Sequence, residues 1–180
     1  IIAPTGSGKT ECSVIPIFSH AKKTKEQGKI KVLYITPLRA LNRDVFRRII
    51  KYAEQDCLTI QIRHGDTSQT VRKKISDSPP DILITTPETL VILLTQKKML
   101  TALSELEWVI IDEVHELLAS ERGSQLSLSL ERLQLNSNQQ IIRNGLSATI
   151  GNTDDAAKFL VGTNRPCEII QDHTIRNYQV

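Results

Sequence analysis

Short apolar runs rich in β-branched residues alternate along the chain with stretches of helical spacing. The runs are Ile1-Ile2, Lys31 to Thr36, Leu58 to Arg63, Asp81 to Thr85, Trp108 to Asp112, Gln140 to Leu146 and Cys167 to Gln171. Near-continuous apolar character over so few residues is what a strand covered on both faces requires. Between the runs, Thr10 to about Lys25, Leu38 to Ala53, Ser68 to Ser76, Pro87 to Leu94 and Thr153 to Leu160 repeat apolar residues at helical spacing. Pro16 inside the first of these introduces the possibility of a kink. The stretch Ser124 to Leu135 reads two ways: Leu126, Leu128 and Leu130 alternate like a strand, whereas Leu126, Leu130 and Leu133 share one helical face. Its length and the Glu131-Arg132 pair decide for helix. Strands alternating with helices predict an α/β fold, a mostly parallel sheet with helices on both faces.

With 180 residues, 39% hydrophobic and 24% charged, the chain has the size and composition of one folded domain. No repeat or low-complexity linker divides it, so residues 1–172 read as a single unit, and 173–180 as an unpatterned tail toward a further domain. The opening on Ile1-Ile2, without Met, is expected of an excised piece whose true termini lie elsewhere. A net charge of only +3 places any nucleic-acid contact on local basic patches. Cys12, Cys57 and Cys167 lie far apart with no Cys-x-x-Cys pair, which argues against a disulfide framework or zinc site and for a reducing, cytoplasmic setting. The longest apolar stretches are too short for a bilayer, so no membrane partner is expected.

The chemistry begins at Ala3-Pro4-Thr5-Gly6-Ser7-Gly8-Lys9-Thr10. Small residues at Thr5, Gly6, Ser7 and Gly8 let backbone N–H groups turn onto phosphate oxygens at a helix N-terminus. Lys9 can reach the outer phosphates of a nucleoside triphosphate, and the Thr10 hydroxyl can ligate Mg²⁺. Trp108-Val109-Ile110-Ile111 ends abruptly in Asp112-Glu113-Val114-His115, a buried strand delivering two carboxylates to the sheet edge where ligands gather. Asp112 is the natural holder of the metal's hydration shell, and Glu113 the group that polarises the attacking water. The bland alternative is an Asp-Glu pair capping a helix over Val114 to Leu118.

Ser147-Ala148-Thr149 again puts hydroxyls after an apolar run. Thr36-Pro37-Leu38-Arg39 and Thr85-Thr86-Pro87-Glu88 each place Thr-Pro between strand and helix. Such junctions are ordinary capping, yet they also expose helix N-termini suited to the phosphates of a polynucleotide. Arg39, Arg43, Arg47 and Lys51 recur every four residues, which suits either a solvated face or a phosphate-contacting stripe. Arg63-His64-Gly65-Asp66 closes a third strand, with His64 either a ligand-contacting or a satisfied loop residue. Aromatic content of 4% gives little base-stacking surface, so contacts should be to the sugar-phosphate backbone.

Taken in order, Ala-Pro-Thr-Gly-Ser-Gly-Lys-Thr, Thr-Pro-Leu-Arg-Ala-Leu, Thr-Thr-Pro-Glu, Asp-Glu-Val-His and Ser-Ala-Thr resemble motifs I, Ia, Ib, II and III of superfamily 2 helicases. The stretches Arg63 to Ser68, Pro79 to Glu88, Asp112 to Leu117 and Arg122 to Leu126 resemble the large helicase-related (Lhr) proteins within that group. Asp-Glu-Val-His departs from the Asp-Glu-Ala-Asp of the best-known RNA helicases. The resemblance implies a RecA-like P-loop NTPase fold and the first lobe of an ATP-driven helicase or translocase. By motif position it implies catalytic Glu113 and Lys9, phosphate contacts from Thr5 to Thr10, and Mg²⁺ held through Thr10 and Asp112. It implies coupling through His115, Ser147 and Thr149. It also implies nucleic-acid contacts at Pro37, Arg39, Arg63, His64, Gly65, Asp66, Thr86, Pro87 and Glu88. The implied ligands are ATP, Mg²⁺ and a single-stranded or partly duplex nucleic acid, DNA favoured over RNA. A second RecA-like lobe would complete hydrolysis. A Ski-like or DEAD-box RNA helicase, a non-hydrolysing ATP-dependent binding module and a P-loop kinase are the alternatives.

Overall fold

A computed structural model describes residues 1–24, 26–148 and 150–172; for Arg39, Ala40 and Leu41 it describes the backbone alone. Lys25, Thr149 and the 173–180 tail lie outside the described residues. Five strands, β1 (Val32–Ile35), β2 (Ile60–Arg63), β3 (Ile82–Thr85), β4 (Trp108–Ile111) and β5 (Ile142–Gly145), form one sheet in the order β2-β3-β1-β4-β5. Every pairing is parallel. The helices are α1 (Lys9–Ala21), α2 (Arg39–Gln55), α3 (Gln69–Asp77), α4 (Pro87–Leu93), α5 (Lys97–Ala102), α6 (Glu121–Asn136) and α7 (Thr153–Val161). This is the expected RecA-like α/β architecture.

The unbroken apolar runs are explained by a period of two within each strand. Val32 and Tyr34 of β1 join Ile82, Ile84 and Ile110 in one cluster, closed by Val14, Ile17 and Phe18 of α1 and Val45, Ile49 and Ala53 of α2. Leu33 and Ile35 point the other way, into a cluster with Leu83, Val109 and Ile111, closed by α4, α6 and α7 through Leu90, Leu93, Leu126, Leu130, Leu133 and Leu160. Both faces are dry, so a strand there cannot afford polar alternation.

Several boundaries differ from the sequence reading. The first helix ends at Ala21 because its last turn tightens: Lys23 N–H donates to His20 O and Thr24 N–H to Ala21 O, three residues back. Pro16 sits inside this helix without ending it. The expected helix after Asp112 is a single 3₁₀ turn, Val114–Glu116. Ser124 to Leu135 is helical, within α6: Leu126, Leu130 and Leu133 are buried, whereas Leu128 is 66% and Leu135 88% exposed, so the alternate leucines split between core and solvent. The helix α5 was not expected, being a short Lys-Lys-Met-Leu-Thr-Ala segment with no side-chain cap. The outer runs Ile1-Ile2 and Cys167 to Gln171 form only single parallel bridges, Ile2 with Ser147 and Ile2 with Gln171, because a two-residue run offers one bridging position. A mostly apolar cavity of about 470 Å³ lies beside them, lined by Ile142, Ala156, Leu160, Cys167 and Ile169.

Topology selects the functional edge. From β1 the chain runs outward to β2, returns beside β1 as β3, and then crosses to β4 on the opposite side. Connections diverge between β1 and β4, which makes the crevice beyond their carboxyl ends the switch point where ligands bind in such sheets.

Candidate nucleotide and nucleic-acid site

The carboxyl edge divides into two halves. Ile2, β5 and β4 deliver the glycine-rich loop, Ser147 and Asp112-Glu113, while β2, β3 and β1 deliver the Arg63 loop and the two Thr-Pro junctions.

The glycine-rich loop turns through two left-handed residues, Gly6 at φ 76° and Gly8 at φ 89°, conformations that cost an L side chain dearly. Gly8 caps α1, so Lys9 occupies its first position and Thr10 its second. Pro4, Thr5 and Gly6 are exposed, and Ser7 N–H donates to Pro4 O at 3.2 Å. The Lys9 ammonium folds back over its own loop, donating to Ala3 O at 2.6 Å and Pro4 O at 3.2 Å. Ser7 Oγ is buried without a hydrogen-bond partner. A buried hydroxyl facing an unmet bond, beside a lysine satisfied only by carbonyls, fits a loop shaped for phosphate oxygens.

Asp112 is 8% exposed and Thr10 5%. Asp112 is held by Tyr34 of β1, a residue the sequence reading passed over as strand core. Its phenol donates to Asp112 Oδ2 at 2.7 Å. Burial, the Asp112 charge and the hydrogen bond to Asp112 raise the Tyr34 pKa well above the usual phenol range. The phenol therefore stays a donor. Among the described residues no cluster of three or more His, Cys, Asp or Glu side chains could cage a metal ion. A divalent cation between Thr10 and Asp112 would accordingly draw most of its ligands from phosphate and water, as Mg²⁺ at phosphate sites does.

Glu113 adopts φ 48° and ψ 49°, a left-handed conformation costing about 1–2 kcal/mol for a non-glycine residue. It is clamped from both sides: Glu113 N–H donates to Asp112 Oδ1 at 3.0 Å and Val114 N–H to Leu146 O at 3.0 Å. Strain of this kind is held where surrounding contacts over-determine it. His115 lies next to Ser147: its N–H donates to Ser147 Oγ at 3.3 Å and its Nδ1 is 3.0 Å from the same oxygen. The same ring nitrogen is 3.5 Å from Glu113 Oε2. Ser147 also bonds the start of the glycine-rich loop, its N–H donating to Ile1 O and its C=O accepting from Ala3 N–H. The structure thus brings Lys9, Thr10, Asp112, Glu113, His115 and Ser147 to one connected region; Thr149 lies outside the described residues.

On the other half, the hydroxyls turn inward. Thr36 is fully buried and donates to Leu38 O at 3.1 Å, and Thr86 caps α4 by accepting from Thr89 N–H at 3.4 Å. Pro37 and Pro87 are buried, whereas Glu88 is exposed. Arg122 of α6 binds Glu88 and the Pro37 carbonyl together, tying the two junctions to each other. This is the second residue that sequence reasoning missed as a contributor to the site. Burial raises the Glu88 carboxyl, but the hydrogen bonds from Arg122, from its own backbone and from Thr86, with the Arg122 charge, together outweigh it and leave the pKa below its ordinary value. Arg63 is 4% exposed and donates to Gln96 Oε1 at 2.8 Å, with its other terminal nitrogen unpaired; burial lowers its pKa. His64 is held in a turn, its N–H on Thr67 Oγ1 at 2.9 Å and its Nδ1 accepting from Asp66 N–H at 3.1 Å, leaving Gly65 and Asp66 exposed. Arg43, Arg47 and Lys51 of the basic stripe are exposed; the Arg39 side chain is not among those described.

A sequence profile described as DEAD/DEAH box helicase matches residues 1–156. The ATP-dependent helicase Lhr-Core of Methanocaldococcus jannaschii is 39% identical over 94% of this chain and 22% of its own length. The Lhr helicase/uracil glycosylase of Escherichia coli is 40% identical over 100% of this chain and 13% of its own. Mycobacterium smegmatis helicase Lhr, solved bound to ssDNA and AMP-PNP, superposes with TM-score 0.84 at 38% identity, covering 96% of this chain and 23% of that one. The chain therefore spans about a fifth or less of these relatives' length. No described helix is long and apolar enough to cross a membrane. On the profile match and these likenesses, the chain belongs to the DEAD/DEAH box helicase family of superfamily 2, as an ATP-binding helicase-core domain of the Lhr type.

Proposed function

We propose that residues 1–172 are the first RecA-like lobe of an ATP-driven, Lhr-type helicase or translocase of the cytoplasm, that the lobe binds Mg·ATP, and that it grips a single strand of nucleic acid, DNA rather than RNA. The observation that carries this reading is that Ser147 bonds both the start of the phosphate loop, at Ile1 and Ala3, and His115 beside the paired carboxylates, which sets both on one crevice.

In this scheme Lys9 leaves the Ala3 and Pro4 carbonyls for the outer phosphates, and Ser7 Oγ gains the partner it lacks. Mg²⁺, when bound, would supply charge neutralisation at the phosphates. Thr10 and Asp112 fit its site, one through a hydroxyl and one through the hydration shell. Glu113 accepts the proton of the attacking water, its carboxylate aimed by the clamped left-handed backbone. His115 and Ser147 link that carboxylate to the strand leading into the phosphate loop. Efficient turnover needs a cationic side chain from a second lobe, since arginine fingers contribute about 10³–10⁵ in rate. The strand would lie over the β2-β3-β1 half, along Pro37, Arg39, the Arg63 to Asp66 loop and the Thr86-Pro87-Glu88 helix start. The ssDNA and AMP-PNP of the Mycobacterium smegmatis structure support both ligand classes.

The test is nucleic-acid-stimulated ATP hydrolysis by the full-length protein. Single-stranded DNA should stimulate, and Glu113→Gln should keep nucleotide affinity while losing turnover. Stimulation by RNA alone would move the chain to a Ski-like or DEAD-box branch. Normal hydrolysis by Glu113→Gln would remove that residue from the chemistry.

A further inference from the structure

We infer that Arg122 is a positioning residue for the proposed strand contact: its guanidinium, bound at once to Glu88 and to the Pro37 carbonyl, fixes how far apart the two Thr-Pro junctions stand and so the track along which a nucleic-acid backbone would run. The inference rests on the proposed strand-binding half of the carboxyl edge and adds to it a residue that acts through its neighbours.

The sheet ladder holds the two junctions together only as far as it reaches. β1 and β3 pair at Ile35 and Thr85, and Thr36 N–H donates to Thr85 O at 3.0 Å. Two residues beyond that last pair stand Pro37 and Pro87, which have no N–H with which to continue it. The threonine hydroxyls do not bridge the gap either: Thr36 turns to Leu38 O and Asn42, and Thr86 to Thr89. Among the described residues, Arg122 is the side chain bonded to both junctions. It is the second residue of α6, a helix capped by Ser120, whose Oγ accepts Gly123 N–H at 3.1 Å. A methyl group at Gly123 would meet Leu117 O at 2.0 Å, so the start of α6 is pressed onto the backbone just past Val114–Glu116. Further along, Leu126, Leu130 and Leu133 pack with Leu90 and Leu93 of α4. Arg122 thus reaches the junctions from a helix seated on two sides. Its donors form a rigid planar fork, Nε serving Glu88 Oε1 and Nη2 serving Pro37 O, whereas a lysine ammonium is a single point that cannot hold both acceptors in that geometry. Glu88 also neutralises the guanidinium, so the pair offers a phosphate little net charge and what Arg122 contributes is spacing.

Arg122→Lys keeps the charge and loses the fork, and Arg122→Gln loses both. Each full-length variant is titrated with a fluorescent oligothymidylate across a salt series, and by calorimetry with a non-hydrolysable ATP analogue in the absence of DNA. Both variants should lose about tenfold in strand affinity, since neither replacement holds both acceptors, while the salt slope stays at its wild-type value and nucleotide affinity changes by less than about twofold. Wild-type strand affinity in Arg122→Lys would make charge the cause, and a slope reduced by about 0.7 in Arg122→Gln would put the guanidinium on a phosphate. Equal losses for strand and nucleotide would mean general damage, and no loss in either variant would make the bridge idle. Each of these four results overturns the inference. A wild-type protein that binds neither oligothymidylate nor oligouridylate would instead overturn the strand-binding reading beneath it. Should neither variant fold, a crystal structure of the wild type with the oligonucleotide decides: Arg122 must still bind Glu88 and Pro37 O, and a phosphate oxygen within about 3.5 Å of the guanidinium contradicts the positioning role.

Discussion

Lys9→Ala is a perturbation whose cost follows from what the lysine does before any nucleotide is present. In the free loop its ammonium holds Ala3 O at 2.6 Å and Pro4 O at 3.2 Å, at a half-buried position. Two bonds from a charged donor that also sees water contribute about 1–2 kcal/mol together. Against a phosphate charge at about 4 Å and an effective dielectric near 20, the same ammonium gains about 4 kcal/mol. Alanine forfeits both, so the affinity loss is the difference, about 2–3 kcal/mol, or roughly 30- to 150-fold in Kd for Mg·ATP. Calorimetry on the full-length protein with a non-hydrolysable analogue measures it. The unliganded variant should melt about 2–8 °C lower, the loss of the two carbonyl bonds alone. Unchanged affinity would falsify the assignment of Lys9 to phosphate, and a loss confined to melting temperature would make the lysine a loop brace.

Three further outcomes follow from other parts of the fold. Gly123→Ala would place a methyl 2.0 Å from Leu117 O and 2.8 Å from Leu117 C, backbone atoms just past the Asp112 to Glu116 stretch, so the domain should lose about 3 kcal/mol or more, seen as a melting drop of roughly 6–12 °C. Glu131, hydrogen-bonded first by Arg165 and also by Arg143, has its carboxyl lowered to about 2 from 4.5. Its contribution is present above pH 4.5 and lost as pH falls toward 2. Being 42% exposed, it contributes about 1 kcal/mol or less, so the melting difference between wild type and Glu131→Gln should be small and should close over that window. Arg39→Ala should weaken single-strand binding and reduce the salt slope by about 0.7, the effect of one phosphate contact; an unchanged slope would make the stripe a solvated face.

What the sequence disclosed and what it withheld have one physical cause. Apolar runs such as Val32 to Ile35 and Trp108 to Ile111 announced buried strands because an unpaired polar group is costly there, and Gly6 and Gly8 announced a tight turn because few other residues adopt its angles. Signals that arise within a short window were legible. Those that arise only from packing were not. Tyr34 lies inside an apolar run and meets Asp112 only through the fold, and Arg122, quoted only within a stretch resembling the Lhr proteins, meets both Thr-Pro junctions only once α6 lies across them. The alternating leucines of α6 were ambiguous for the same reason, and burial separated them. Arg63 is turned inward onto Gln96 with one terminal nitrogen unpaired, a placement that no local pattern announces.

The most direct test is a crystal structure of the full-length protein with Mg²⁺ and a non-hydrolysable ATP analogue. The account predicts that Lys9 Nζ will have left Ala3 O for a phosphate oxygen, with Thr10 on the cation and Asp112 on its hydration shell. Lys9 still seated on its own carbonyls, or Thr10 and Asp112 facing separate cavities around the nucleotide, would contradict it.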